Sequence, residues 1–100
     1  MSIPVVFKPA ALWEFEEAVA WYEAERSGLG REFKLEVKLA LRRALDNPEL
    51  FQKVRGGTQK LRLRRFEKYA IYFIIKDGTF AVLAVFHGSR NPAELRRRMP

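Results

Sequence analysis

The chain has 100 residues, 48% hydrophobic and 13% aromatic, enough to build one core without staples, so a single domain over residues 1–100 is expected. It contains no cysteine and one histidine, which excludes disulfides, thiol catalysis, zinc–thiolate sites and histidine clusters. Lysine and arginine outnumber aspartate and glutamate by 19 to 12, a formal +7, which points toward polyanions or an acidic protein partner.

The first element in chain order is a short apolar run, Ile3 to Phe7, a strand that Pro9 ends by opening a helix. From Ala10 to Arg26 the residues Leu12, Phe15, Val19 and Tyr22 recur at helical spacing. Glu14, Glu16, Glu17 and Glu23 fall elsewhere, and the pattern predicts an amphipathic helix. Trp13, Trp21 and Tyr22 are expected in the core, as aromatic packing beside a sheet. Ser27-Gly28-Leu29-Gly30 breaks this helix, and a second runs from Arg31 to Leu45 with Phe33, Val37, Leu41, Ala44 and Leu45 on its apolar side. Asn47-Pro48 stops it, and Asp46 and Asn47 read as helix-end chemistry. Two helices joined by a tight glycine turn form an antiparallel hairpin that needs a sheet to cover.

Glu49 to Thr58 reads as a connection, with Leu50, Phe51 and Val54 tucked against the core and Gly56-Gly57 turning into the sheet. Three strands are then predicted: Lys60 to Phe66, Tyr69 to Lys76 and Thr79 to His87. Asp77-Gly78 between the last two is the strongest hairpin signal in the chain, because a two-residue loop of this kind needs positive φ at both positions. In the first, Leu61 and Leu63 alternate with Arg62 and Arg64, so the meander is expected to have one buried and one basic face. Asn91-Pro92 offers an N-cap and first-turn proline for a short terminal helix, Ala93 to Arg98, whose arginines could fray. The fold class is α+β, order β-α-α-β-β-β with a short C-terminal helix. No apolar run is long enough for a membrane span, the first residues do not make a signal peptide, and a cytoplasmic location is expected.

Several segments in this order carry a family likeness. They are Phe7-Lys8-Pro9-Ala10-Ala11, Ala20-Trp21-Tyr22-Glu23, Gly28-Leu29-Gly30-Arg31-Glu32-Phe33 and Asp46-Asn47-Pro48. After them come Arg65-Phe66-Glu67-Lys68-Tyr69-Ala70-Ile71-Tyr72-Phe73 and Ala84-Val85-Phe86-His87-Gly88-Ser89-Arg90-Asn91-Pro92. Together they resemble the RelE/ParE superfamily, the toxins of type II toxin–antitoxin (plasmid stabilisation) modules. Trp21-Tyr22, Gly28-Leu29-Gly30 and Arg65-Phe66 with Tyr69 look more like the ParE branch. The resemblance implies a helix hairpin on a small, mainly antiparallel sheet, a cognate antitoxin as partner, no cofactor and no metal. On the ParE branch it implies inhibition of DNA gyrase without enzymatic activity. On the RelE branch it implies a ribosome-dependent endoribonuclease that cuts mRNA, and an inert antitoxin-binding homologue is a third reading.

If the chain cleaves RNA, the candidates are Arg62, Arg64 and Arg65 around the phosphate with His87 and Arg90 from the end of the last strand. Nucleases of the superfamily often add an aromatic or histidine close to the C-terminus, and here only Arg96-Arg97-Arg98-Met99-Pro100 follows, which weighs against cleavage. His87 also has a structural reading, bonding the backbone of the Gly88-Ser89 turn, and Arg62 and Arg64 could be the solvated face of a strand. For antitoxin binding the resemblance and the charge pattern point to Arg62, Arg64, Arg65 and Arg90, beside a free sheet edge that an acidic peptide could extend.

Overall fold

The computed structural model describes residues 3–100. Met1 and Ser2, part of the leading segment read above, lie outside them. A five-stranded sheet carries a helix hairpin on one face and a short helix on the other. Its elements are β1 (Val5–Phe7), α1 (Pro9–Glu25), α2 (Leu29–Asp46), a 3-10 turn (Pro48–Leu50), β2 (Gln52–Lys53), β3 (Gln59–Arg62), β4 (Tyr69–Lys76), β5 (Thr79–His87) and α3 (Pro92–Arg98). The strand order is β1-β5-β4-β3-β2, with β1 parallel to β5 and every other pair antiparallel.

The expected hairpin is present. Asp77 and Gly78 take φ 52° and 72°, the left-handed pair that a two-residue loop requires. Between Tyr72 and Phe73 the β4–β5 register slips: Tyr72 faces Ala84 but Phe73 faces Val82, so Leu83 is the extra residue of a bulge. The main core lies between the sheet and α1–α2. Phe33, Phe73, Phe80, Leu61, Ile71, Val82 and Val85 are its fully buried side chains, each contributing about 1.5–3 kcal/mol of burial.

Several expectations need correction. Lys60–Phe66 is not one strand: β3 ends at Arg62, and residues 63–68 turn instead, with Phe66 at φ 63°. The alternation of Leu61 and Leu63 inward and Arg62 and Arg64 outward still holds past the strand end. The connection also contributes a 3-10 turn and the two-residue β2, and its Leu50 is 75% exposed rather than tucked in. The second sheet face is basic only in part: Leu95 of α3, with Met99 beside it, covers Tyr72, Ala84 and Phe86, while Arg62 stays exposed at the β3 side. Nor does α3 fray: the Asn91 side chain accepts from the Ala93 N–H, and Arg98 is bonded to Glu14.

The largest difference lies in α1. Its buried line is Ala11, Glu14, Ala18 and Tyr22, while Leu12 is exposed and Trp13 and Trp21 stand 59% and 54% open, so only Tyr22 of the three expected core aromatics is buried. Small residues let the helix approach the sheet closely, and the large aromatics are left on its flanks. The buried carboxylate has a specific reason. β1 stops at Phe7, opposite Val82, so the next stretch of β5 has no neighbouring strand on that side. Side chains replace it: Val85 N–H donates to Glu14 Oε1 at 3.0 Å, and Leu83 C=O accepts from Arg98 at 3.3 Å.

Candidate functional site

The Arg62–Lys68 turn and the His87–Asn91 turn meet at one end of the sheet. Tyr69 and His87 are paired across β4 and β5, and Gly88 N–H donates to Lys68 C=O at 2.8 Å. An aromatic cluster fixes the first turn from beneath. Phe66 lies edge-on to Tyr22 and Phe33 at centroid distances of 4.7 and 5.2 Å, and Tyr69 lies edge-on to Phe33 at 5.6 Å. Burial raises the pKa of both Tyr22 and Tyr69, so these hydroxyls stay neutral. Glu36 of α2 also holds this turn, accepting the Arg64 and Arg65 backbone N–H groups at 2.9 and 3.2 Å.

The four arginines and the histidine read from the sequence share this end of the molecule but occupy three separate clefts. Arg62 and Arg64 border one with Arg43, Asp46, Leu50 and Phe51. Arg64 and Arg65 border another, beside Trp21, Tyr22 and Lys68. His87 and Arg90 line a third of about 250 Å³ with Trp13, Glu17 and Tyr69. Trp13 and Trp21, expected in the core, therefore form walls of two of these clefts.

Their charges are unequally committed. Arg65 bonds Glu32 at 2.6 Å and lies over the Phe66 ring, and that bond holds the Glu32 carboxyl below the usual carboxylate range. Arg90 pairs with both Glu14 and Glu94, over the face of Phe86. Arg62 and Arg64 have no ion pair among the described residues. His87 Nδ1 takes the Ser89 N–H at 3.0 Å and lies 2.7 Å from Ser89 Oγ, while the ring stands edge-on to Tyr69. The hydrogen bond to the turn that the sequence suggested for His87 is present. With Nδ1 accepting, the ring proton sits on Nε2.

Glu14 and Arg98 were not visible as partners in the sequence. Arg98 gives Glu14 two bonds of 2.9 Å, which raise its pKa further, and the nearest signal was a glutamate at a position where the helix faces the sheet. Among the described residues no group of three or more histidines, aspartates and glutamates is placed to hold a metal.

Comparison with known proteins gives one family. The family model described as the ParE toxin of the type II toxin–antitoxin system, parDE, matches residues 5–92. No curated protein matches significantly. Among solved structures, the chromosomal ParDE toxin–antitoxin system from P. aeruginosa superposes with a TM-score of 0.71 at 11% identity, over 86% of this chain and 96% of that one. A doubly arginine-to-alanine variant of the E. coli toxin RelE in the free state superposes at 0.66 with 21% identity, over 98% of this chain and 94% of that one. At these identities the two structures establish the shared fold.

Proposed function

The chain belongs to the family of ParE toxins of type II toxin–antitoxin systems, and on that premise we propose that it inhibits DNA gyrase in the cytoplasm and is silenced by a cognate antitoxin. The observation that supports the non-enzymatic reading is the dispersal of the catalytic candidates. An RNase needs a base, an acid and cations around a single phosphate. Here Arg62 and Arg64 open onto different clefts from His87 and Arg90, and Arg90 is neutralised by two carboxylates.

The antitoxin contact is proposed at Arg62, Arg64, Arg65 and Arg90, with the unpaired Arg62 and Arg64 contributing most because no internal ion pair has to be broken first. The second reading is a ribosome-dependent endoribonuclease. What favours it is the third cleft, where His87, Tyr69 and Arg90 line one hollow. Inducing the chain alone in bacteria while following thymidine and methionine incorporation separates the two. DNA synthesis failing first, with strand breaks, is the expected result; translation failing first would overturn it, and neither failing would leave an antitoxin-binding protein without a target.

A further inference from the structure

The first helix stands apart from the rest of the chain in charge. α1 contains five glutamates and no lysine or arginine, in a protein whose formal charge is +7. Two of those carboxylates are spent inside the molecule, Glu14 on Arg90 and Arg98 and Glu23 on the Gly28 and Gly30 N–H groups. Glu16, Glu17 and Glu25 have no ion pair among the described residues. Trp13, Glu17 and Trp21 follow one another at four-residue spacing, which sets them in one row along the helix, and Ala20 and Ala24 beside them are exposed too. Tryptophan is among the residues enriched where a protein partner is held.

The row ends in the third cleft, of about 250 Å³, which Trp13, Glu17 and Tyr69 line together with His87 and Arg90. The other charges around it are already balanced, Glu14 and Glu94 against Arg90 and Arg98, so Glu17 leaves the cleft with one carboxylate in excess. The Trp13 side chain is more than half exposed. The Tyr69 hydroxyl, kept neutral chiefly by burial, can accept a hydrogen bond. A free carboxylate, an open indole face and a neutral acceptor suit a planar cation that donates in a fork while its face lies on a ring. Guanidinium has that form, whereas an ammonium cannot stack and an anion meets the excess carboxylate.

We propose that this cleft receives an arginine side chain from a basic protein partner lying along α1, with the guanidinium stacked on Trp13 and paired with Glu17. Trp21 and the exposed alanines form the rest of the contact. This surface differs in sign from the arginine end, where cations await an acidic segment, so the two take different partners. A second copy laid helix to helix is a poorer occupant, because it sets two rows of unpaired glutamates against each other. The inference goes beyond the toxin reading and does not rest on it.

The test uses the full chain carrying Trp21→Phe, which leaves Trp13 as its one tryptophan, and N-acetyl-arginine amide as the probe. The single histidine, His87, gives a second reporter in the same cleft by proton NMR at fixed pH. Saturable quenching of Trp13 and a matching shift of the His87 ring protons are expected at millimolar probe. The citrulline analogue, of the same shape without the charge, should bind about tenfold more weakly, and the lysine analogue also more weakly. Glu17→Gln should weaken binding about fivefold and Glu25→Gln less than about twofold. Glu17 is exposed without an internal ion pair, so its replacement should leave folding intact, which urea unfolding of the variant checks. No saturable response, equal binding of the citrulline analogue, or indifference to Glu17→Gln would overturn the proposal. So would a stronger response to methyl phosphate, which would return the cleft to the nuclease reading. Self-association in sedimentation that Glu17→Gln abolishes would also overturn it, by supplying the arginine from a second copy. Failure of the toxin reading is a separate outcome: a chain that arrests no growth can still bind this probe.

Discussion

Glu14, in the middle of the first helix, holds Arg98, near the C-terminus, through two hydrogen bonds of 2.9 Å, and the pair seals the stretch of β5 that β1 leaves uncovered. The Glu14 side chain is 3% exposed and Arg98 is 21% exposed. Replacing the carboxylate leaves two arginines and one strand amide with weaker partners. Glu14→Gln should therefore cost about 2 kcal/mol, less than the ~3–5 kcal/mol of a fully buried pair, because Arg90 and Arg98 keep some access to water. Urea unfolding measures this. Trypsin cleavage within Arg96–Arg98 should accelerate in parallel, as α3 loses its clasp; unchanged stability and cleavage would show that the pair is not holding the helix.

The tight turn between the helices makes a pH-dependent contribution. Glu23 accepts the Gly28 and Gly30 N–H groups, each at 3.0 Å, capping α2 from the end of α1. Those bonds hold its carboxyl below the ordinary range, Gly28 contributing most. A carboxyl depressed in the folded state stabilises fully above its unfolded pKa, and that stability is lost as pH falls through the folded value. Urea midpoints should fall from pH 6 toward pH 3, and Glu23→Gln should flatten the profile. Glu32, depressed by its bond to Arg65, shares the sign, so the slope left in the single variant should shrink further in the double variant with Glu32→Gln.

These two glutamates also show where the sequence is informative. The Asp77-Gly78 loop and the glycine break between the helices each impose a local backbone requirement, and the structure meets both, while the alternation Leu61–Arg62–Leu63–Arg64 keeps its two faces although the strand ends at Arg62. The buried side of α1 could not be read in that way. Leu12 and the tryptophans outweigh Ala11 and Ala18 in hydrophobicity, but close helix–sheet approach favours small residues, and Glu14 is buried only because Arg90 and Arg98 reach it from 76 and 84 positions away. Helical periodicity carries no information about such distant partners. The dispersal of the arginines has a similar origin: β3 ends at Arg62, and the turn that follows sends Arg64 and Arg65 toward α2.

Thr58 is fully buried, and its Oγ1 finds no partner among the described residues. Valine has nearly the same shape without the hydroxyl, and both backbone groups of residue 58 stay bonded, to Arg55 and Val54. Thr58→Val should raise stability by about 1 kcal/mol. A lower melting temperature in this variant would mean that the hydroxyl is satisfied in solution.

His87 separates structural from catalytic use. Its Nδ1 serves the Ser89 turn and its ring rests against Tyr69. If the chain is a gyrase inhibitor, His87→Ala should change the inducer level needed for growth arrest by less than about threefold, whereas loss of a general acid or base costs on the order of a hundredfold or more. A loss on that scale, at unchanged protein level, would favour RNA cleavage.

Arg62 and Arg64 provide the cleanest test of partner binding, since they carry charge without an internal partner among the described residues. Reversing both, Arg62→Glu with Arg64→Glu, should leave the unfolding free energy within about 0.5 kcal/mol of the parent, as surface substitutions generally do. Antitoxin affinity should nevertheless fall at least tenfold and lose part of its salt dependence, because two steering cations have become repulsive. Arg65→Glu and Arg90→Glu should behave differently, weakening affinity and stability together, since each breaks a pair with Glu32 or with Glu14 and Glu94. Calorimetric titration of the purified complex alongside urea unfolding separates the two classes. Unchanged antitoxin affinity in the first variant would remove the arginine end of the sheet from the interface.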